Sequence, residues 1–278
     1  VKAKAAAGST AAATATAAAA ATAARCARPA PAAPASANNS LSLLLRNRAF
    51  WLSTLGYSGH NWELYALWLW FKRFSHDAGI GALLAGSSGS SADGSATAAA
   101  AAAAAASSGD SLAAFLVVSS AFIGCTLGGL AADRVGRTTV CLCSLAVSIV
   151  GSLTIGLTMG HPALTLAVGL VWGVFAVAES AQFSAMTAEL VPAELVGNAV
   201  TLQFGIGFLC TMPGMFLVPM LAPPQQDIGA AGDDGGGSWA LAWGSLAPGT
   251  VIGAIAMLAL RRRPEAWQVA RLRGRPAF

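Results

Sequence analysis

His60 and Glu63 are the residues whose chemistry is least expected where they stand, because both interrupt an apolar run from Ala49 to Phe71. Three residues apart, they share one face of any helix that this run forms. Glu63 lies about 14 residues into the run, or roughly 20 Å along a helix, which is too deep for a carboxylate to reach water easily. Because charges inside a span are costly, we interpret the two as a proton-titrating or substrate-binding pair. The alternative is a hydrogen-bonded pair that only fixes helix packing.

Polar residues interrupt two later apolar stretches as well. Glu179 and Gln182 share a helix face, and Glu179 is about four residues, or roughly 6 Å, from the expected inner end of its span. A functional role and simple access to water at the membrane surface are equal alternatives there. Gln203 offers hydrogen bonds in the next stretch, where Pro213 and Pro219 are expected to kink or break the helix.

The sequence indicates no metal site, cofactor or catalytic centre. Cys141 and Cys143 are two residues apart and do not face each other on a helix. His60 with Glu63 lacks the further ligands that a metal requires. No nucleophile with a plausible base is visible, so we predict a protein that is not an enzyme and needs no cofactor.

The composition excludes an ordinary soluble enzyme. Of 278 residues, 16 are basic and 12 are acidic, so only 10% are charged, whereas 55% are hydrophobic and the mean hydropathy is +0.63. A disordered chain would be richer in charge and poorer in apolar residues. The net charge of +4 is spread along the chain, so nucleic-acid binding is not indicated.

The gaps between charged residues predict an all-α membrane protein with six transmembrane helices. A bilayer core needs about 20 apolar residues per helix. The predicted spans are 49–71, 112–132, 138–158, 163–183, 197–221 and 239–260. Arginines concentrate in the flanks that lie on the same side as both termini, which places the termini in the cytoplasm. Tryptophans near span ends are expected at the membrane interfaces: Trp51, Trp68, Trp70, Trp239 and Trp243.

Three segments lie outside the predicted helices. Residues 1–45 are rich in alanine and are interpreted as a low-complexity linker, with an organelle transit peptide as the alternative. Residues 76–111 contain nine consecutive alanines, Ala98 to Ala106, and are expected to form a disordered insertion in an external loop. Alanine is too weakly apolar to predict a seventh span there. Residues 263–278 are expected to form a basic cytoplasmic tail.

The loop between the second and third spans carries the most specific motif, which contains Gly129, Asp133, Arg134, Gly136 and Arg137. As a short cytoplasmic turn, it needs Gly136 for a tight bend, and Gly129 allows close packing at the helix end. Asp133 can cap a nearby helix N-terminus. The two arginines can bind headgroups or acids on a neighbouring helix.

The spacing Gly-x-x-x-Asp-Arg-x-Gly-Arg resembles the signature loop of the major facilitator superfamily, which follows the second helix of each six-helix half. The final basic residue of that pattern is Thr138 here. Residues 189–194 resemble a later cytoplasmic loop of the family, and residues 56–68 resemble the first helix of its C-terminal half. The resemblance covers roughly 46–262.

The resemblance implies one six-helix half of a transporter, the C-terminal one, that rocks between inward-open and outward-open states. Residues 1–45 would then be the remnant of a central linker, and an N-terminal half would be missing. Asp133, Arg134 and Arg137 would act as a gate. Physical reasoning alone, and no family motif, places His60 and Glu63 on the solute path.

The sequence therefore predicts a secondary active transporter of a small solute, embedded in the bilayer as a multi-pass protein and coupled to protons. Glu179, Gln182 and Gln203 are expected to contribute to the solute or proton path. The alternative is a non-transporting half, either truncated or regulatory. The plasma membrane and an organelle envelope both remain open as its location.

Overall fold

The computed structural model describes residues 37–86, 96–224 and 237–264, and every regular element in these ranges is helical. The chain divides into residues 1–41 and residues 42–278, and the helical bundle belongs to the second unit. Most of the predicted linker and nearly all of the basic tail lie outside the described residues.

Eleven α-helices and two short 3-10 turns follow one another in the described ranges. The helices are α1 (Ala37–Arg46), α2 (Arg48–Asp77), α3 (Ile80–Leu84), α4 (Ala96–Ser119), α5 (Ala121–Val135), α6 (Arg137–Thr154), α7 (Pro162–Ala178), α8 (Ser180–Leu190), α9 (Val196–Leu221), α10 (Trp239–Gly244) and α11 (Ala247–Arg261). The 3-10 turns are Ile155–Thr158 and Ala193–Leu195.

Five helical segments in the described part are long and apolar enough to cross a membrane. They are Ala96–Val135, Arg137–Thr158, Pro162–Leu190, Ala193–Leu221 and Trp239–Arg261. Helix α2 has 30 residues and is long enough at roughly 45 Å, but its polar residues keep it out of the apolar set. The prediction of an all-helical membrane protein is confirmed, with five spans identified by apolarity where six were expected.

Helix α2 lies at the centre of the bundle, packed against α9 on one side and α11 on another. Glycines make both contacts close. A Cβ atom on Gly59 would lie 2.5 Å from the carbonyl oxygen of Gly249 and 2.8 Å from the Cα of Gly253. A Cβ on Gly207 of α9 would overlap Tyr57. The glycines at four-residue spacing thus bring the helix backbones together, as small residues do between membrane helices.

The alanine-rich segment is helical where the structure describes it, which corrects the expectation of a disordered insertion. Helix α4 runs from Ala96 and continues almost directly into α5, so that Ala96–Val135 forms a rod of 40 residues. At 1.5 Å per residue the rod is roughly 60 Å long, about twice the thickness of a bilayer core. Alanine has the highest helix propensity, so the alanine run lengthens the apolar helix.

A polar contact fixes this rod to the end of α2. The carboxylate of Asp110 is 2% exposed and accepts a hydrogen bond of 2.8 Å from the hydroxyl of Ser75. Its other oxygen lies 3.0 Å from Nδ1 of His76. Beside it, the backbones of Gly81 and Gly109 touch. The rod is therefore positioned by α2 and α3 rather than free in a loop.

Pro213 and Pro219, expected to kink or break α9, do not break it, since the helix runs without interruption from Val196 to Leu221. Membrane spans commonly tolerate proline because neighbouring helices satisfy the freed backbone groups. Trp239 and Trp243, expected at span ends, are 3% and 0% exposed because both pack in the protein core.

Candidate functional site

His60 and Glu63 are completely buried in the bundle, and they do not bond to each other. Three residues turn a helix by about 300°, so the two side chains point about 60° apart. Because α2 is surrounded by helices, that angle is enough to direct them to different neighbours. The predicted His60–Glu63 pair is therefore replaced by two separate contacts.

His60 pairs with Glu179. Its Nδ1 lies 3.0 Å from Oε1 of Glu179, and both side chains have no exposed surface. The imidazole packs beside the rings of Tyr57 and Phe183, with ring centroids 5.9 Å and 5.8 Å away. A buried hydrogen-bonded pair of this kind is stronger than the same pair in water, because the local dielectric constant is low.

Glu179 lies deeper than the sequence predicts. It stands between α7 and α8, and the apolar segment continues for 11 more residues to Leu190. The expected end of the span at 183 was too early, so the carboxylate cannot reach water at a helix end. Its second oxygen, Oε2, has no hydrogen-bond partner among the described residues.

Glu63 is held by two helices that the sequence analysis did not connect with it. The hydroxyl of Thr250 in α11 lies 2.8 Å from Oε2, and the indole N–H of Trp172 in α7 donates to Oε1 over 3.4 Å. Ser148 of α6 is a third neighbour, although its hydroxyl makes no bond of acceptable geometry. A tryptophan in the middle of a span needs a partner for its N–H, and that requirement was the only available signal.

Gln203 belongs to a separate contact nearer the N-terminal end of α2. Its Nε2 lies 3.4 Å from the hydroxyl of Ser53, which bonds to the hydroxyl of Thr187 at 3.0 Å. All three side chains are buried. Gln203 of α9 thus bonds to the same central helix that carries His60 and Glu63, but it bonds to neither of them.

The loop between α5 and α6, which contains Gly136, is bound to α8 by contacts of Arg137 that we call the latch. Gly136 has φ +88°, a conformation that favours glycine, so the predicted tight bend is present. Arg137, the first residue of α6, donates to Oε1 of Gln182 at 2.9 Å and pairs with Glu189 at 2.9 Å. Gln182 therefore faces this loop and not the His60 site, contrary to the expectation for a path residue.

The other loop residues, Gly129, Asp133 and Arg134, are less constrained by ion pairs or packing. Asp133 and Arg134 are exposed, and neither has an ion pair within the described ranges. A Cβ on Gly129 would meet nothing within 4 Å. The expectation that Gly129 allows close helix packing is therefore wrong; Gly128, beside Ala178, makes that contact instead.

Replacing Arg137 with glutamine is expected to loosen the latch. Cys141, one helical turn further on, is fully buried and free, so its alkylation reports opening. With the other cysteines replaced, N-ethylmaleimide should label Cys141 about two- to fivefold faster in the variant, because a partly exposed ion pair contributes up to about 1 kcal/mol. Arg134→Gln is the matched control. Equal labelling of the two variants would mean that the Arg137 contacts do not hold the loop.

No group of three His, Cys, Asp or Glu side chains comes together among residues 37–86, 96–224 and 237–264. Open grooves lie on the surface of the bundle, such as one of about 490 Å³ along α9 beside Thr201 and Gly205. That groove is lined by neither His60, Glu63 nor Glu179. What the arrangement offers chemically is a set of buried proton-binding groups, His60, Glu63 and Glu179.

The architecture defines an all-helical integral membrane protein with a major-facilitator-type fold. It is similar to that of the xylose transporter XylE from E. coli in an inward-open conformation, with a TM-score of 0.57 at 15% sequence identity. The match covers 79% of this chain and 48% of that one, so the chain spans about half the length of the solved transporter. The sequence matches no family profile and no curated protein.

Proposed function

We propose that this chain is a six-helix unit of a secondary transporter that moves a small solute by alternating access and couples it to protons. The observation that carries the proposal is the complete burial of His60, Glu63 and Glu179 in the centre of a major-facilitator-type fold. Ionisable groups inside a membrane bundle are costly and commonly serve proton or substrate movement.

Complete burial favours protons over solute at these three residues. A side chain with no exposed surface cannot contact a solute until the helices separate, whereas a proton needs only a transient water or hydroxyl chain. The sequence predicts that His60 and Glu63 line the path as proton-titrating or substrate-binding groups. Of these two roles we propose the proton role. The solute route then lies on a surface of this unit that is open in the present state.

The latch of Arg137, Gln182 and Glu189 supplies the gate in this proposal. Arg137 connects the bend after α5 to both ends of α8, since Gln182 lies near its start and Glu189 near its end. Breaking these contacts frees α8 to move relative to α6. Asp133 and Arg134 are exposed beside the latch and are proposed to act when a partner surface approaches them.

A second six-helix unit completes the path in this proposal. The chain spans about half of the solved transporter, and a central path in such a fold lies between two halves. The proposed partners are therefore that second unit, a small solute and the lipid bilayer.

Solute exchange in proteoliposomes tests the proposal. Vesicles with the purified chain, alone and with a co-expressed second unit, are loaded with unlabelled D-xylose, L-alanine or citrate, and entry of the labelled solute is followed. We expect saturable exchange of at least one solute, slowed by Arg137→Gln. Exchange no faster than in empty vesicles for all three solutes would favour the alternative, a non-transporting half.

A further inference from the structure

We propose that Glu63 is the buried carboxyl that carries the proton, that Glu179 is the partner of His60, and that Thr250 is the positioning residue that holds the Glu63 proton. This division of roles rests on the proposed function and deepens it. It assigns a role to Thr250, whose hydroxyl touches Glu63 from the opposite helix.

The charges of the buried groups favour a protonated Glu63. Two acids and one base are buried together, and the electrostatic interaction between Glu63 and Glu179 is repulsive when both are ionised. With His60 protonated, neutrality allows one ionised carboxyl, and only Glu179 has the imidazole beside it. When His60 is neutral, an electrically neutral interior requires both carboxyls to be protonated. Glu63 carries a proton in both cases, since a buried uncompensated charge is far more costly.

The side chains around Glu63 also favour its protonated form. The groups around its carboxyl from other helices are Trp172 of α7, Thr250 of α11 and Ser148 of α6, and all three are neutral. The titratable groups nearest along the same helices are His60 and Glu179, which bond to each other.

Helix α9, which packs against α2 most extensively, contains no charged residue. Helices α4 and α8 also pack against α2; Asp110 of α4 bonds to Ser75 and His76, and Glu189 of α8 pairs with Arg137. Among the described residues, no cation forms an ion pair with Glu63.

The hydrogen bonds of the Thr250 hydroxyl also favour a protonated Glu63. Its hydroxyl lies 2.8 Å from Oε2 of Glu63 and 3.2 Å from the carbonyl oxygen of Leu246, but it has one hydrogen to donate. If Glu63 is protonated, its O–H donates to Thr250 and Thr250 donates to Leu246, so all groups are satisfied. If Glu63 is ionised, the Thr250 hydroxyl must donate its hydrogen to the carboxylate, and its hydrogen bond to the Leu246 carbonyl oxygen is lost.

The other hydrogen bond to the Leu246 carbonyl oxygen is long. The backbone N–H of Thr250 reaches the Leu246 oxygen only at 3.5 Å, in the first turn of α11 where the chain passes from α10. Release of the proton from Oε2 to water would therefore remove the better hydrogen bond from the start of α11. The Glu63 proton is in this way linked to the junction of two helices.

Infrared spectroscopy of the full chain in lipid tests the assignment without any transport measurement. At neutral pH we expect a C=O stretching band of a protonated, buried carboxyl that is lost in Glu63→Gln and kept in Glu179→Gln. If His60 is neutral, a second band accompanies it, and this second band is lost in Glu179→Gln. In Thr250→Val the Glu63 band should move to higher frequency because its hydrogen-bond acceptor is gone, and Thr250→Ser should restore it. Circular dichroism checks that each variant remains helical.

Spectra in which Glu63→Gln loses no protonated-carboxyl band would overturn the assignment, as would the absence of any such band at neutral pH in the native chain. If Glu63→Gln fails to fold, an unchanged band in Thr250→Val contradicts the role of Thr250. Because the spectra require no solute, the band without solute exchange would reject only the transport function. Exchange without the band would reject only the division of roles.

Discussion

Leucine in place of Gly59 is expected to prevent α2 from packing against α11. The Cβ alone would lie 2.5 Å from the carbonyl oxygen of Gly249 and 2.8 Å from the Cα of Gly253. Backbone atoms cannot turn aside as a side chain can, so the helices must separate. We expect a loss of stability of about 3 kcal/mol or more, at the upper end of overpacking effects, measured as the shift in thermal unfolding of the purified chain in detergent.

Gly205→Leu is the matched control for Gly59→Leu. Gly205 is also within a helix, but a Cβ there would meet nothing within 4 Å. The control should be unchanged or slightly stabilised, because leucine has the better helix propensity by about 1 kcal/mol. Equal unfolding temperatures for the two variants would show that α2 and α11 are not in close contact.

Replacing His60 alone with leucine is expected to destabilise the bundle more than replacing His60 and Glu179 together. Within the described ranges, His60 is the one side chain that bonds to the buried carboxyl of Glu179, and its loss costs about 3 kcal/mol. Leucine at both positions removes the polar atoms as a pair, and such replacements are often neutral or stabilising.

Chemical unfolding of the two single variants and the double variant measures this coupling. The effect of the double variant should be clearly smaller than the sum of the two single effects. Simple addition would mean that His60 and Glu179 do not interact. The same cycle with Glu63 in place of Glu179 serves as the control and should give little coupling, because His60 and Glu63 have separate partners.

The sequence predicts the helices better than it predicts their contacts. Among the described residues, the gaps between charged residues locate the long helices except the alanine-rich part of α4, because burial in lipid requires uninterrupted apolar segments. The bend at Gly136 was predictable because its motif requires a particular backbone conformation. The alanine-rich helix was misread because hydropathy measures membrane affinity, whereas alanine forms helices through its backbone propensity.

The partners of buried residues could not be read from spacing. Residues three apart share a helix face, which suggested a bond between His60 and Glu63. Which residue each one meets depends on the rotation and register of α7 and α11, and long-range packing determines both. The same limit applies to Gln182, whose spacing from Glu179 suggested a common site although its side chain turns to Arg137.

Solute-driven proton movement tests the central claim most directly. Vesicles containing the purified chain, alone and with the proposed second unit, and a pH-sensitive dye inside, receive D-xylose, L-alanine or citrate from outside. At least one solute should change the internal pH with the native chain, and Glu63→Gln should abolish that change while exchange of the same solute continues. An equal pH change with Glu63→Gln, or transport of a solute with no proton movement in the native chain, would contradict the account.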